Sequence, residues 1–147
     1  MVLPLDDNHP NRLDPGKRTF RTIIPVMMAK DGKPVMACGP MGGAGQPQTQ
    51  AAMVTGMADF GYDVLQAIEA PRWLIGRTWE MDSRDLWLES GIPDQVAREL
   101  TLRGQPVQML AGWSGIVGHA QAIRIIRETG FMIGGADPGG DGAALGF

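Results

Sequence analysis

The 147 residues, 44% of them hydrophobic and 20% charged, suffice for one globular domain and argue against disorder throughout. A net charge of −3, with Lys17-Arg18 as the only adjacent basic pair, provides no field for gathering phosphates and makes nucleic acid a poor partner. One cysteine, Cys38, excludes an internal disulfide and a cysteine-based zinc site; two distant histidines make a weak metal case, and no cofactor is implied. No apolar run reaches the roughly 18 to 20 residues needed to span a bilayer, and the opening residues have neither the basic start nor the apolar run of a signal peptide. The chain therefore reads as soluble, with its compartment open and the cytoplasm as the default.

Residues 1–18 carry Pro4, Pro10 and Pro15 among Asp, Asn and Arg and read as an extended or turning arm that needs a surface to lie on. Residues 19–147 read as a single α+β domain. Arg21–Met28 and Val35–Cys38 are apolar runs around Lys30-Asp31-Gly32-Lys33, the pattern of a β-hairpin with a tight Asp-Gly reversal. A helix starts near Pro47 and carries Met53, Val54, Met57 and Phe60 at helical spacing until Gly61. A second helix covers 63–69, capped by Asp63 and ended by Pro71. Strands follow at 72–75 and 86–89, then a helix at 93–103 with Val96, Leu100 and Ala97 on its buried side, then strands at 107–110, 120–126 and 131–133. This order predicts a mostly antiparallel sheet with helices on its face and a first hairpin whose outer edge has no partner within the chain.

Glycine, at 21 residues, is about twice its usual share and concentrates in 39–45, 112–118 and 130–142. Gly39-Pro40-Met41-Gly42-Gly43-Ala44-Gly45, between a strand and a helix, fits two readings: a turn whose backbone N–H groups receive a carboxylate, phosphate or oxyanion, or a bare strand-to-helix connection. No Gly-Lys-Ser/Thr follows, so it is not a phosphate loop. Arg21 and Thr22, at the start of the first hairpin strand, offer a guanidinium fork and a hydroxyl to the same place if the hairpin brings the two segments side by side; the alternative is one exposed strand residue and one polar core residue. His119 has no nucleophile assigned by spacing and reads as structural or surface. The four tryptophans read as core or interface packing, and the ten methionines as fillers of apolar gaps.

Pro15-Gly16-Lys17-Arg18-Thr19-Phe20-Arg21-Thr22-Ile23-Ile24-Pro25, Asp31-Gly32-Lys33-Pro34 and Gly39-Pro40-Met41-Gly42-Gly43 together resemble the gamma-glutamyltransferase family. So do Ala67-Ile68-Glu69-Ala70-Pro71-Arg72 and Gly135-Ala136-Asp137-Pro138, in the same order and at similar spacing. The resemblance implies part of an N-terminal-nucleophile hydrolase with an αββα sandwich, in which self-cleavage exposes a threonine that attacks a gamma-glutamyl amide. It further implies that Gly42 and Gly43 form the oxyanion hole and that Arg21 and Thr22 stand at the family's Ser-Ser pair on the substrate carboxylate. Arg21 replaces the first serine, and Thr22-Ile23-Ile24-Pro25 is closer to the acylase-like branch. The nucleophilic threonine has no counterpart in the 147 residues. The expectation is a C-terminal small-subunit portion, inactive alone, whose partner is a threonine-bearing polypeptide or a second copy. The alternative is a non-catalytic truncated member that folds or oligomerises and at most binds small carboxylates.

Overall fold

A computed structural model describes residues 6, 8–18, 22–76 and 83–146. The Asp31-Gly32 pair closes the hairpin of β1 (Val26–Lys30) and β2 (Lys33–Cys38), with both residues at positive φ, 52° and 72°, as a two-residue reversal requires. β1 begins only at Val26, just after Pro25, whose missing N–H cannot join a ladder. β2 also pairs with β6 (Gln121–Ile125), and β6 with β7 (Met132–Ala136), giving an antiparallel sheet in the order β1-β2-β6-β7. Among the described residues the outer edge of β1 has no strand beside it, as the sequence led us to expect.

Two helices cover one face of this sheet. α1 (Gln46–Ala58) has Pro47 in its first turn, where a proline costs no hydrogen bond. α2 (Val64–Glu69) starts with a reciprocal capping box: Asp63 accepts from the Gln66 N–H, and the Gln66 side chain accepts from the Asp63 N–H. Cross-strand partners share a face, so Met36, Cys38 and Ala122 point at these helices and form the core with Met53, Val64, Ile68 and Ala120. Gly135 lies under α2, where a Cβ would come within 2.7 Å of Ile68. The opposite face carries Met27, Ile123 and Met132, all exposed.

The second sheet is β3-β4-β5, made of β3 (Trp73–Ile75), β4 (Leu86–Glu89) and β5 (Val107–Leu110). β4 and β5 run parallel, the one exception among otherwise antiparallel pairings of the described strands, so the mostly antiparallel expectation holds while the strands divide into two sheets; the crossover between β4 and β5 carries α3 (Asp94–Leu102), as a parallel connection needs. The α+β assignment stands, with two sheets and flanking helices arranged as in an N-terminal-nucleophile αββα sandwich.

Two packing expectations fail. No residue of α3 is buried, Val96 and Leu100 included; the helix packs mainly on β5, the edge strand of the second sheet. Phe60 falls beyond the end of α1, is exposed and tilts against Tyr62. Trp73 and Trp113 are exposed and Trp87 is half-buried, while Trp79 lies outside the described residues. The described part of the arm turns rather than extends, with His9 N–H to the Asp6 carbonyl and Arg12 N–H to the His9 carbonyl, both at 3.0 Å. No helix of the described residues is long and apolar enough to cross a membrane.

Met53 is fully enclosed at 0% exposure. Met53→Ala should therefore cost roughly 2 to 5 kcal/mol in urea unfolding, whereas Met27→Ala on the open face should stay within about 0.5 kcal/mol of the parent.

Candidate functional site

The register of the first sheet gathers four connecting segments at one of its ends. Val26 pairs with Cys38 and Gln121 with Ala136, so the chain before β1, after β2, before β6 and after β7 all emerge together. The tight turns Asp31-Gly32 and 127–130 occupy the other end. Of the residues expected from sequence, Thr22, Gly42 and Gly43 fall where the four segments meet.

The glycine segment leaves β2 and is caught at once by the segment before β6. Met41 and His119 exchange N–H···O=C bonds in both directions, each 2.8 Å. The two backbones are in contact there: a Cβ at Gly118 would lie 2.0 Å from the Met41 carbonyl oxygen and 2.9 Å from Gly42 Cα. Only glycine fits, and Gly118 also holds φ at 81°. Gly42 is buried and Gly43 exposed, and a 3-10 turn over Gly43–Gly45 runs straight into α1. The N–H of Gly45 donates to the Gly42 carbonyl at 2.9 Å. Among the described residues no acceptor receives the N–H of Gly42 or of Gly43. Two donors thus stand free beside the positive end of a 13-residue helix, which is favourable to an anion.

Thr22 reaches the same place through a side chain that sequence reasoning passed over. Gln46 Nε2 donates to the Thr22 carbonyl at 2.7 Å and to the Gly43 carbonyl at 3.2 Å. One turn on, Gln50 Nε2 donates to the Ile24 carbonyl. These two amides tie the 22–24 segment along the first turns of α1, leaving Thr22 exposed beside the glycine turn. Arg21 lies outside the described residues, so its expected place next to Thr22 has no geometry to compare with.

Behind the turn lies an ion cluster equally unforeseen as a unit, made of Arg72, Glu89 and Asp137, each at most 2% exposed. Asp137 Oδ2 meets Arg72 Nη1 at 2.7 Å, an ion pair whose angle falls short of an aligned hydrogen bond. The same oxygen accepts the Ala120 N–H at 2.9 Å, and Oδ1 accepts the Gly139 N–H at 2.8 Å. Glu89 accepts the backbone N–H of Arg72 at 2.8 Å and of Ser114 at 2.7 Å. The available signal was Arg72 and Asp137 each standing at the border of an apolar strand. His119 is half-buried with Nδ1 3.9 Å from Asp137 Oδ1, consistent with a structural place for it. Cys38 is buried, and burial pushes its thiol up from the ordinary value, so it is poorly suited to act as a nucleophile. Among the described residues no group of three or more His, Cys, Asp and Glu could hold a metal ion.

Residues 2–147 match a family model described as Gamma-glutamyltranspeptidase. Over 143 residues the chain is 46% identical to the Glutathione hydrolase-like YwrD proenzyme of Bacillus subtilis, covering 97% of this chain and 27% of that protein. It is 41% identical to the Oxamate amidohydrolase proenzyme of Klebsiella pneumoniae, again over 97% of this chain and 27% of that protein. The crystal structure of cephalosporin acylase from Bacillus halodurans superposes with a TM-score of 0.81 at 36% identity, covering 97% of this chain and 25% of that one. The chain thus spans about a quarter of the length of each of these three relatives.

The Gly42–Gly118 crossing sets a stability expectation. Gly118→Ala should cost roughly 2 to 4 kcal/mol from the clash and the positive φ together, against about 1 to 2 kcal/mol for Gly104→Ala, where only the φ is unfavourable. Paired urea melts check the difference.

Proposed function

The chain belongs to the gamma-glutamyltranspeptidase family, and on that premise we propose that it is the oxyanion-binding and carboxylate-binding portion of an N-terminal-nucleophile amide hydrolase or acyltransferase. In this reading a threonine outside the 147 residues attacks the acyl carbonyl. Its hydroxyl oxygen bonds to the carbonyl carbon to give a tetrahedral intermediate, the C–N bond to the leaving amine breaks as that intermediate collapses, and the threonine's own amino group carries the proton from hydroxyl to amine. The N–H groups of Gly42 and Gly43 receive the negative oxygen of the tetrahedral intermediate, and the acyl-enzyme passes to water or to an amino acceptor. Arg21 and the Thr22 hydroxyl hold a carboxylate on the acyl group.

The observation that carries this reading is the Gln46 amide, which binds the carbonyls of both Thr22 and Gly43 and so holds the two recognition segments together while the glycine N–H groups stay free. The acyl group is gamma-glutamyl or a related small acyl. Arginine in place of the family's first serine, together with the 41% and 36% identities to an amidohydrolase and an acylase, supports the related acyl. The polypeptide that brings the threonine is the expected partner, and the free β1 edge gives it, or a second copy, a strand to pair with.

The purified 147-residue chain should not turn over gamma-glutamyl anilides, since the covalent route needs the threonine; a burst of aniline from this chain alone would refute the assignment. Glutamate should bind weakly and shift the amides of residues 39–45 in NMR titration. Arg21→Ala removes a charge-assisted contact of about 1.5 to 3 kcal/mol, which should weaken binding by about one to two orders of magnitude. Gly43→Val should abolish it, because Gly43 sits at φ 53°, which a β-branched residue resists. Equal binding by parent and Arg21→Ala would remove Arg21 from the site.

A further inference from the structure

Asp137 is a buried carboxylate with no part in the chemistry proposed above, yet it grips the backbone one peptide away from the glycine turn. The Ala120 N–H that it accepts belongs to the same peptide group as the His119 carbonyl, and that carbonyl accepts the Met41 N–H at 2.8 Å. The His119 N–H in turn donates at 2.8 Å to the Met41 carbonyl, which shares its peptide group with the Gly42 N–H. Every peptide bond among the described residues is trans, so in each planar unit the N–H and C=O point in opposite directions. Fixing the Met41 carbonyl on His119 therefore aims the Gly42 N–H away from His119, toward the free side of the turn.

We infer that the Arg72–Asp137 ion pair is a positioning device for the Gly42–Gly43 turn, acting through two rigid peptide planes, 119–120 and 41–42. Arg72 holds the carboxylate in place through the 2.7 Å contact between its Nη1 and Asp137 Oδ2. The carboxylate sets the 119–120 plane, and the Met41–His119 bridge passes that setting to the Gly42 donor. A chain of hydrogen bonds ending on a charge is also mutually polarised, which holds it more tightly than the same bonds made singly. Arg72 and Asp137 touch no substrate in this scheme. The role rests on the reading of Gly42 and Gly43 as oxyanion donors, but the alignment of the turn can be measured without a ligand.

The test is NMR on the 147-residue chain and on Asp137→Asn, Arg72→Lys and, as a destabilised control away from the turn, Leu86→Val. Asp137→Asn should move the Gly42 and Gly43 amide resonances, speed exchange of the Met41 amide about tenfold, and weaken glutamate binding by a similar factor. Arg72→Lys keeps the charge and should retain most of the parent behaviour, and Leu86→Val should leave the turn unchanged whatever it does to the melting point. A folded Asp137→Asn with parent-like Gly42, Gly43 and Met41 amides would overturn the inference, as would a Leu86→Val that disturbs them equally. If glutamate fails to bind the parent, the oxyanion reading falls while the amide data still judge the positioning. Should the charged-site variants not fold, exchange in the parent decides. Met41, His119 and Ala120 should open as one unit, and an Ala120 amide released only by global unfolding beside freely opening Met41 and His119 would be the contrary result.

Discussion

A guanidinium at the start of β3 is held by two carboxylates from elsewhere in the chain, and the arrangement of both sheets depends on it. Arg72, Glu89 and Asp137 have almost no exposure, so none of the three charges can be left alone. Removing one partner of such a cluster typically costs about 3 to 5 kcal/mol, because it strands the others away from water. The carboxylates do more than neutralise. Glu89 orients the start of β3 and the loop at Ser114, and Asp137 orients the start of β6 and the turn at Gly139. One cation therefore fixes the β3-β4 pair against the β6-β7 pair. Replacing the cluster with apolar residues could match its energy but not this set of backbone acceptors.

The second constraint is steric. Gly42 and Gly118 cross with their backbones touching, and the crossing has space for no side chain. Bonds from α1 complete the frame. The Thr49 hydroxyl donates to the Val117 carbonyl at 3.1 Å, and Gln48 clasps both backbone groups of Ile75 at 2.8 and 3.0 Å. Gln46 and Gln50 donate to the Thr22 and Ile24 carbonyls of the segment before β1. Five consecutive positions of one helix, 46 to 50, thus contain four side chains that satisfy backbone groups of three other segments.

Local chemistry was legible, and long-range placement was not. The Asp31-Gly32 reversal, the Asp63 cap and the proline start of α1 each follow from one or two residues, and each appears where it was expected. The parallel β4-β5 pairing did not, since strand direction within a sheet depends on which strand becomes a neighbour and no local pattern encodes it. The burial expected for α3 failed for the same reason: an amphipathic stripe states that a helix prefers cover, not that the chain provides it. At the site, the glycine segment was evident from composition, whereas the residues that hold it were hidden. Gln46 looks like any polar residue at a helix start, and Arg72 and Asp137 lie 65 positions apart, as their numbers give. Their pairing becomes visible only in three dimensions.

The same geometry explains why the segment before β1 and the glycine turn collect at one end of the sheet. In an antiparallel hairpin the residues before the first strand and after the second must emerge side by side, and the Val26–Cys38 pairing thereby delivers Thr22 and Gly42-Gly43 to one rim. The Gln121–Ala136 pairing delivers Gly118 and Asp137 to that rim as well. Register is strongly fixed here, because a one-residue slip of β2 would turn Met36 and Cys38 out of the core and break the pairing with β6. The burial that stabilises the sheet is therefore also what holds the glycine turn beside its neighbours, and a substitution that loosened the core would blur the rim before it unfolded the chain.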